Sequence, residues 1–180
     1  MQRGLSREQT GVRMVAAGRW LGVAVLCWLG GCAGSVVLDP NPPQGFRLDG
    51  EWLLDPLGSD PAPRRRALRQ RGFSIAMAAQ DFPVIRTRRM LIEESPDSVG
   101  IEYDGGVYRD LSWGVRRRGL WEVNAGWEEG RLLILSEAAD ARARETVTLS
   151  DGGRRMLVEV KLNAGGQTLE VVRVFIRQSR

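Results

Sequence analysis

The chain reads as an all-β protein: an antiparallel up-and-down meander of about eight or nine strands closing into a barrel, with one short helix after the first strand. Three observations predict it. Apolar residues alternate with polar ones at period two, most clearly at Trp121, Val123, Ala125 and Trp127 and again at Met156, Val158, Val160 and Leu162, so one face is buried and the other wet. Turn chemistry interrupts that alternation at regular intervals, at Asp104-Gly105-Gly106, Glu129-Gly130, Gly152-Gly153 and Asn163-Ala164-Gly165-Gly166. And so many consecutive hairpins curl; closure removes the exposed edges that a flat sheet would leave.

Taken in order, the first element is an export segment. Arg3, Arg7, Arg13 and Arg19 stand against a single Glu8 and precede the ten-residue apolar stretch Trp20–Leu29, the basic and apolar regions of a secretory signal. As a helix, ten residues span only ~15 Å, about half of a bilayer's hydrocarbon core, which argues against a permanent membrane span. Leu29-Gly30-Gly31-Cys32 follows directly and resembles the lipobox of bacterial lipoproteins. That resemblance implies cleavage before Cys32, acylation of its sulfur, and departure of residues 1–31, Cys27 included. Several acyl chains on one residue make a durable anchor. Ala33 after the Cys, rather than an Asp, implies by the same resemblance an outer-membrane address facing the periplasm.

Charge and composition exclude more than they assign. Four of the 26 Lys+Arg and one of the 22 Asp+Glu lie in residues 1–31, which leaves 22 against 21, or +1, for the remainder. A near-neutral mature chain is not a general nucleic-acid binder. There is no His, and the two Cys are Cys27 and Cys32, so thiolate and imidazole metal sites, internal disulfides, and Ser-His-Asp or Cys-His catalysis are all excluded from the mature chain. We therefore expect no metal, no cofactor and no catalytic residues.

Residues 32–46, with Asp39-Pro40-Asn41-Pro42-Pro43, read as a lipidated, Pro-rich extended tether. The domain at 47–180 opens with a strand carrying Trp52 and Leu54 on one face. Asp60-Pro61-Ala62-Pro63 marks a helix start with Asp60 in capping range, and the helix runs from Arg64 until Gly72 breaks it. Phe73–Ala79 is compatible with either helix or strand. Strands are then expected over about 84–94, 98–103, 107–113, 118–128, 131–137, 142–149, 154–162 and 168–177.

Gly50-Glu51-Trp52 resembles the G-x-W of lipocalins. The resemblance implies a lipocalin-like barrel whose first and last strands pair, with a final-strand Arg packed on the Trp; Arg173 is the candidate partner of Trp52. With the Trp127–Leu132 hairpin and Glu145–Gly152, the likeness extends to small exported β-domains of bacteria.

Among candidate chemistries, Glu93-Glu94 and Glu128-Glu129 are adjacent acids, but neighbours on a strand point to opposite faces and cannot share a substrate. The Arg runs 64–66, 86–89 and 116–118 match phosphate geometry, and Arg116, Arg117 and Arg118 are candidates for anionic-lipid contact. Trp113, Trp121 and Trp127 are expected to fill the lumen. The leading functional expectation is a non-enzymatic, membrane-anchored binding or interaction module of the cell envelope, meeting a partner protein or apolar ligand. The alternatives are a lipocalin-type carrier of a lipid or small apolar ligand, and a carboxylate-based envelope enzyme.

Overall fold

The computed structural model describes residues 36–179; the expected signal segment, the cleavage motif Leu29-Gly30-Gly31 and Cys32 lie outside them. The described chain is one ten-stranded antiparallel sheet: β1 (Gly50–Leu54), then after two short helices β2 (Arg89–Ser95), β3 (Ser98–Tyr103), β4 (Val107–Ser112), β5 (Gly114–Arg118), β6 (Trp121–Glu128), β7 (Arg131–Glu137), β8 (Ala141–Ser150), β9 (Arg155–Ala164) and β10 (Gln167–Arg177). The spatial order is β4-β3-β2-β1-β10-β9-β8-β7-β6-β5. First and last strands pair, with Leu53 opposite Ile176.

That the sheet curls into a barrel follows from one contact. Arg109 on β4 reaches Glu145 on β8 at 2.6 Å, yet six strand spacings separate those strands in sheet order, which would be about 29 Å in a flat sheet. The architecture is thus a lipocalin-like up-and-down barrel. It is not fully hydrogen-bonded around its circumference, because β4 and β5, adjacent in sequence, are the two sheet edges and leave a seam.

Local chemistry explains the pairing. At Glu129-Gly130 and Gly165-Gly166 both central residues have positive φ, the geometry that lets a two-residue turn match the right-handed twist of its strands. Trp121, Val123, Ala125 and Trp127, and Met156, Val158, Val160 and Leu162, are all buried, as their alternation requires. The strand count exceeds the expectation by the separate strand β5. The stretch expected as 118–128 begins with a turn at Gly119-Leu120, and the Arg-rich β5 has no apolar alternation to reveal it.

One helix becomes two, α1 (Arg65–Arg71) and α2 (Phe73–Ala78), hinged at Gly72 with φ 151°. Asp60 is not the cap. Its backbone N–H donates to Val172 O at 2.9 Å and its carboxylate accepts from Val172 N at 2.8 Å, extending the β10 edge. A 3-10 turn at Pro83–Ile85 delays β2 to Arg89, because Pro83 has no N–H to give a ladder. Leu68 and Ile75 are fully buried, and α2 packs on β8, β9 and β10, covering one end of the barrel.

The other end is closed by the N-terminal segment. Phe46 stacks edge-on against Trp127 at 4.4 Å, and Trp113 lies 5.8 Å from the same ring. From Val36 onward the Pro-rich segment is docked rather than free. Asp39 and Trp127 exchange both backbone hydrogen bonds at 3.1 and 2.7 Å, and the Asn124 amide donates to Val36 O at 2.8 Å. Leu38 is buried against the bare backbone of Gly126, where a Cβ would stand 2.6 Å from Leu38 Cβ. Gly126, Leu133 and Thr146 are register neighbours on the outer face, and all three are buried. The segment acts as a strap over them.

Between these plugged ends the lumen is full of side chains. The void among Met90, Ile101, Leu132, Val147 and Met156 is about 20 Å³, room for roughly one water. The tryptophans fill the barrel at its ends, and aliphatic side chains fill the middle.

Candidate functional site

The site residues proposed from sequence do not converge. Arg116, Arg117 and Arg118 form the exposed strand β5 at the seam. Glu94 accepts from the backbone N–H of Leu48 at 2.8 Å, Glu128 lies 3.7 Å from Arg144, and Glu129 pairs with Arg131 at 2.7 Å, so neither acid pair faces a common cleft. The pairing of Trp52 with Arg173 is corrected. Arg177, in register with Trp52, stacks over its ring at 4.4 Å, because the β1–β10 register sets position 177 beside the indole and position 173 a turn of pleats away. Arg177 also donates to the carbonyls of Asp49, Arg47 and Gly153. Arg173, itself buried, donates to Asp60 O at 2.7 Å and Thr87 O at 2.9 Å and pins the loops around the helices.

A different set of residues builds a cleft. At the helix-covered end of the seam, a pocket of about 410 Å³ opens between the Gln80–Pro83 segment, Val107 and Arg109 of β4, the β5–β6 turn at Arg118–Trp121, and Ser136 of β7. Such a volume suits a small ligand. Its walls are apolar at Phe82, Val107, Leu120, Trp121 and Val123. Phe82 packs edge-on to Trp121 at 5.2 Å, and the Trp121 indole N–H donates to Asp81 at 2.9 Å, so the turn and the helical segment are tied together across the mouth.

The floor is polar. Arg109 is 2% exposed and donates through Nη1 to Glu145 Oε1 at 2.6 Å, with its guanidinium 5.8 Å over the Phe82 ring. Burial by itself would depress the Arg109 pKa, but the facing Glu145 carboxylate and the Tyr103 hydroxyl together outweigh it and hold the guanidinium charged. Burial pushes the neighbouring Tyr103 hydroxyl up to about 12. Arg118 is depressed, first by desolvation and then by the charge of Arg109. Among the described residues five buried side-chain atoms lack a hydrogen-bond partner, and two of them, Arg109 Nε and Ser136 Oγ, belong to residues lining the cleft. A buried donor left unmatched costs about 1–3 kcal/mol.

None of Arg109, Ser136 or Glu145 was singled out by sequence reasoning, although a signal existed. Each falls in the inward phase of its strand, Arg109 before Leu111, Ser136 after Leu132 and Ile134, Glu145 between Ala143 and Val147. An ionisable residue in an inward position marks either a buried pair or a site.

Comparisons add little to this geometry. No protein-family model matches the chain, and no curated protein matches it. Among solved structures it is similar to human cRBP IV, at 19% identity over 73% of this chain and 98% of that one with a TM-score of 0.48. It is also similar to zebrafish ileal bile acid-binding protein complexed with cholic acid, at 14% identity over 72% and 98% with a TM-score of 0.46. The fluorescent protein UnaG gives 15% identity over 72% and 96% with a TM-score of 0.47. All three likenesses lie below a TM-score of 0.5, so the reading of the site rests on this chain's own residues. Fold and cleft together define a small antiparallel barrel with a filled lumen and a cationic cleft at its seam.

Proposed function

We propose that this chain is a non-enzymatic binding barrel of the bacterial cell envelope, held at the outer membrane by acylated Cys32, whose ligand is a small amphiphile with an anionic head. The observation that carries the ligand class is the buried, charged Arg109, with an unpartnered Nε, lining an apolar-walled cleft of about 410 Å³. An anionic oxygen at the floor meets Arg109 and the Ser136 hydroxyl, with Arg118 at the rim. Charge-assisted hydrogen bonds of that kind are roughly twice as strong as neutral ones. The apolar portion lies along Phe82, Leu120 and Trp121. With a void of only about 20 Å³ inside, the ligand sits in the mouth and not in the lumen.

The anchor is supported by the sequence: a basic region, a short apolar region, and Leu29-Gly30-Gly31-Cys32. The carboxylate-enzyme alternative is disfavoured by the acids themselves. Glu93-Glu94 and Glu128-Glu129 are dispersed, Glu145 is committed to Arg109, and Asp81 at the rim is bonded to Trp121.

Native mass spectrometry of the mature lipoprotein purified from its envelope tests the reading. A co-purifying anionic amphiphile is expected, replaceable by dodecanoate but not by dodecyltrimethylammonium, and lost in Arg109→Met. Equal binding of the two dodecyl compounds, or retention of dodecanoate by a folded Arg109→Met variant, overturns it.

A further inference from the structure

We infer that the β5–β6 hairpin is the face this protein lays against an anionic lipid bilayer, so that the cleft opens at the membrane surface. The inference rests on the anchor reading of Cys32, and three features of the fold carry it.

The first is where the chain leaves the barrel. The strap fixes Val36 beside Asn124, the residue opposite Val115 on β5. From Cys32 to Val36 there are four peptide units, a reach of at most ~14 Å. An acylated Cys32 therefore keeps the strap's exit, beside the outer face of β5 and β6, within that distance of the headgroups. The two backbone bonds of Asp39 to Trp127 and the burial of Leu38 over Gly126 make the exit point a fixed part of the barrel.

The second is what that hairpin displays. Leu120 at its tip is 86% exposed and Val37 of the strap 91% exposed, with Val115 also in solvent. Arg117 shares the outer face with Val115, while Arg116 and Arg118 lie on the alternate face, exposed at the seam; among the described residues none of the three forms an ion pair within 4 Å. Glu122, in register with Arg117, is the acid that partly offsets them. Isolated apolar tips flanked by unpaired guanidinium groups suit the boundary between headgroups and acyl chains, where basic side chains meet phosphate and apolar ones are desolvated.

The third is the cleft. Arg118, Gly119, Leu120 and Trp121 form one of its walls, so the segment that meets the bilayer also borders the ligand's path. An anionic amphiphile leaving the bilayer would slide past Leu120 and Arg118 toward Arg109 without crossing bulk water.

The mature chain has no Cys but the acylated one, which allows a single reporter thiol. Leu120→Cys and, five strands away from β5 on the far wall of the barrel, the exposed Glu170→Cys would each be introduced into the full acylated protein. Each is labelled with a polarity-sensitive fluorophore and reconstituted on vesicles of phosphatidylcholine alone or mixed equally with phosphatidylglycerol. The expected result is protection from an aqueous quencher at 120 but not at 170, stronger on anionic vesicles. Reversing Arg116→Glu and Arg117→Glu should reduce the protection by about fivefold per residue, the weight of one basic side chain at an anionic surface. Position 120 quenched as readily as 170 on vesicle-bound, palmitate-labelled protein overturns the docking face while leaving the anchor intact. Protection seen only in native envelopes, never on protein-free vesicles, would assign the face to a protein partner and also overturn it. Failure of palmitate to enter at Cys32 removes the anchor and the docking with it.

Discussion

Arg109 and Glu145 meet across the barrel interior at 2.6 Å, one from an edge strand beside the seam and the other from the middle of the opposite wall. Both are almost wholly buried. This pair is costly to maintain, since each ion gives up its water, and it leaves Arg109 Nε buried without a hydrogen-bond partner. Removing either partner strands a charge in the core. Glu145→Gln or Arg109→Met should each destabilise the barrel by about 3–5 kcal/mol, while the double variant Arg109→Met/Glu145→Leu should recover most of that loss. Urea unfolding of the three variants checks it; additive losses in the double variant would contradict the pairing.

Glu145 also competes with any anionic ligand for Arg109. Provided Glu145→Gln remains folded, its affinity for dodecanoate should rise, because the guanidinium keeps its charge and loses its internal partner. Calorimetric titration of the two proteins gives the sign directly.

Tyr103 makes stability depend on alkaline pH. Burial raises its folded pKa from 10.0 to about 12, so folding favours the neutral phenol. That contribution is complete below pH 10 and is lost as pH rises from 10 to 12. The chain has two Tyr and one Lys, which keeps the background small. Thermal unfolding should show a fall over that window, and Tyr103→Phe should flatten it.

Gly126 is needed by the strap. A Cβ there would stand 2.6 Å from Leu38 Cβ and 2.8 Å from the Asp39 carbonyl oxygen, too close to both side chain and backbone. Gly126→Ala should release residues 36–39 from β6 with the barrel intact. Faster hydrogen exchange at the Asp39 and Trp127 amides is the measurement.

The two C-terminal-strand arginines should behave differently. Arg177→Ala removes the cation over Trp52, worth about 0.5–2 kcal/mol, and frees the carbonyls of Asp49, Arg47 and Gly153, so it should loosen the start of β1. Arg173→Ala should instead loosen the Asp60 and Thr87 loops and leave the Trp52 environment unchanged. The near-ultraviolet circular dichroism of the indole discriminates them.

Much of the barrel was legible because its determinants are local. Period-two burial at Trp121–Trp127 and Met156–Leu162 and paired positive-φ turns at Glu129-Gly130 and Gly165-Gly166 act within a few residues, and they specify strands and hairpins without reference to the rest of the chain. The strand β5 escaped because three arginines in a row carry no alternation, and the partner of Trp52 was misplaced because register between first and last strands depends on all the strands between them.

What the sequence determined by itself is thus the meander, the export segment as an expectation, and the exclusion of His and Cys chemistry from the mature domain. The tertiary structure alone decided where the sheet leaves its seam, which put Arg109, Ser136 and the Leu120 turn around one cleft. It also decided that the Pro-rich segment binds β6. Those arrangements join residues dozens of positions apart, and only closure of the barrel brings such distant inward and outward faces together.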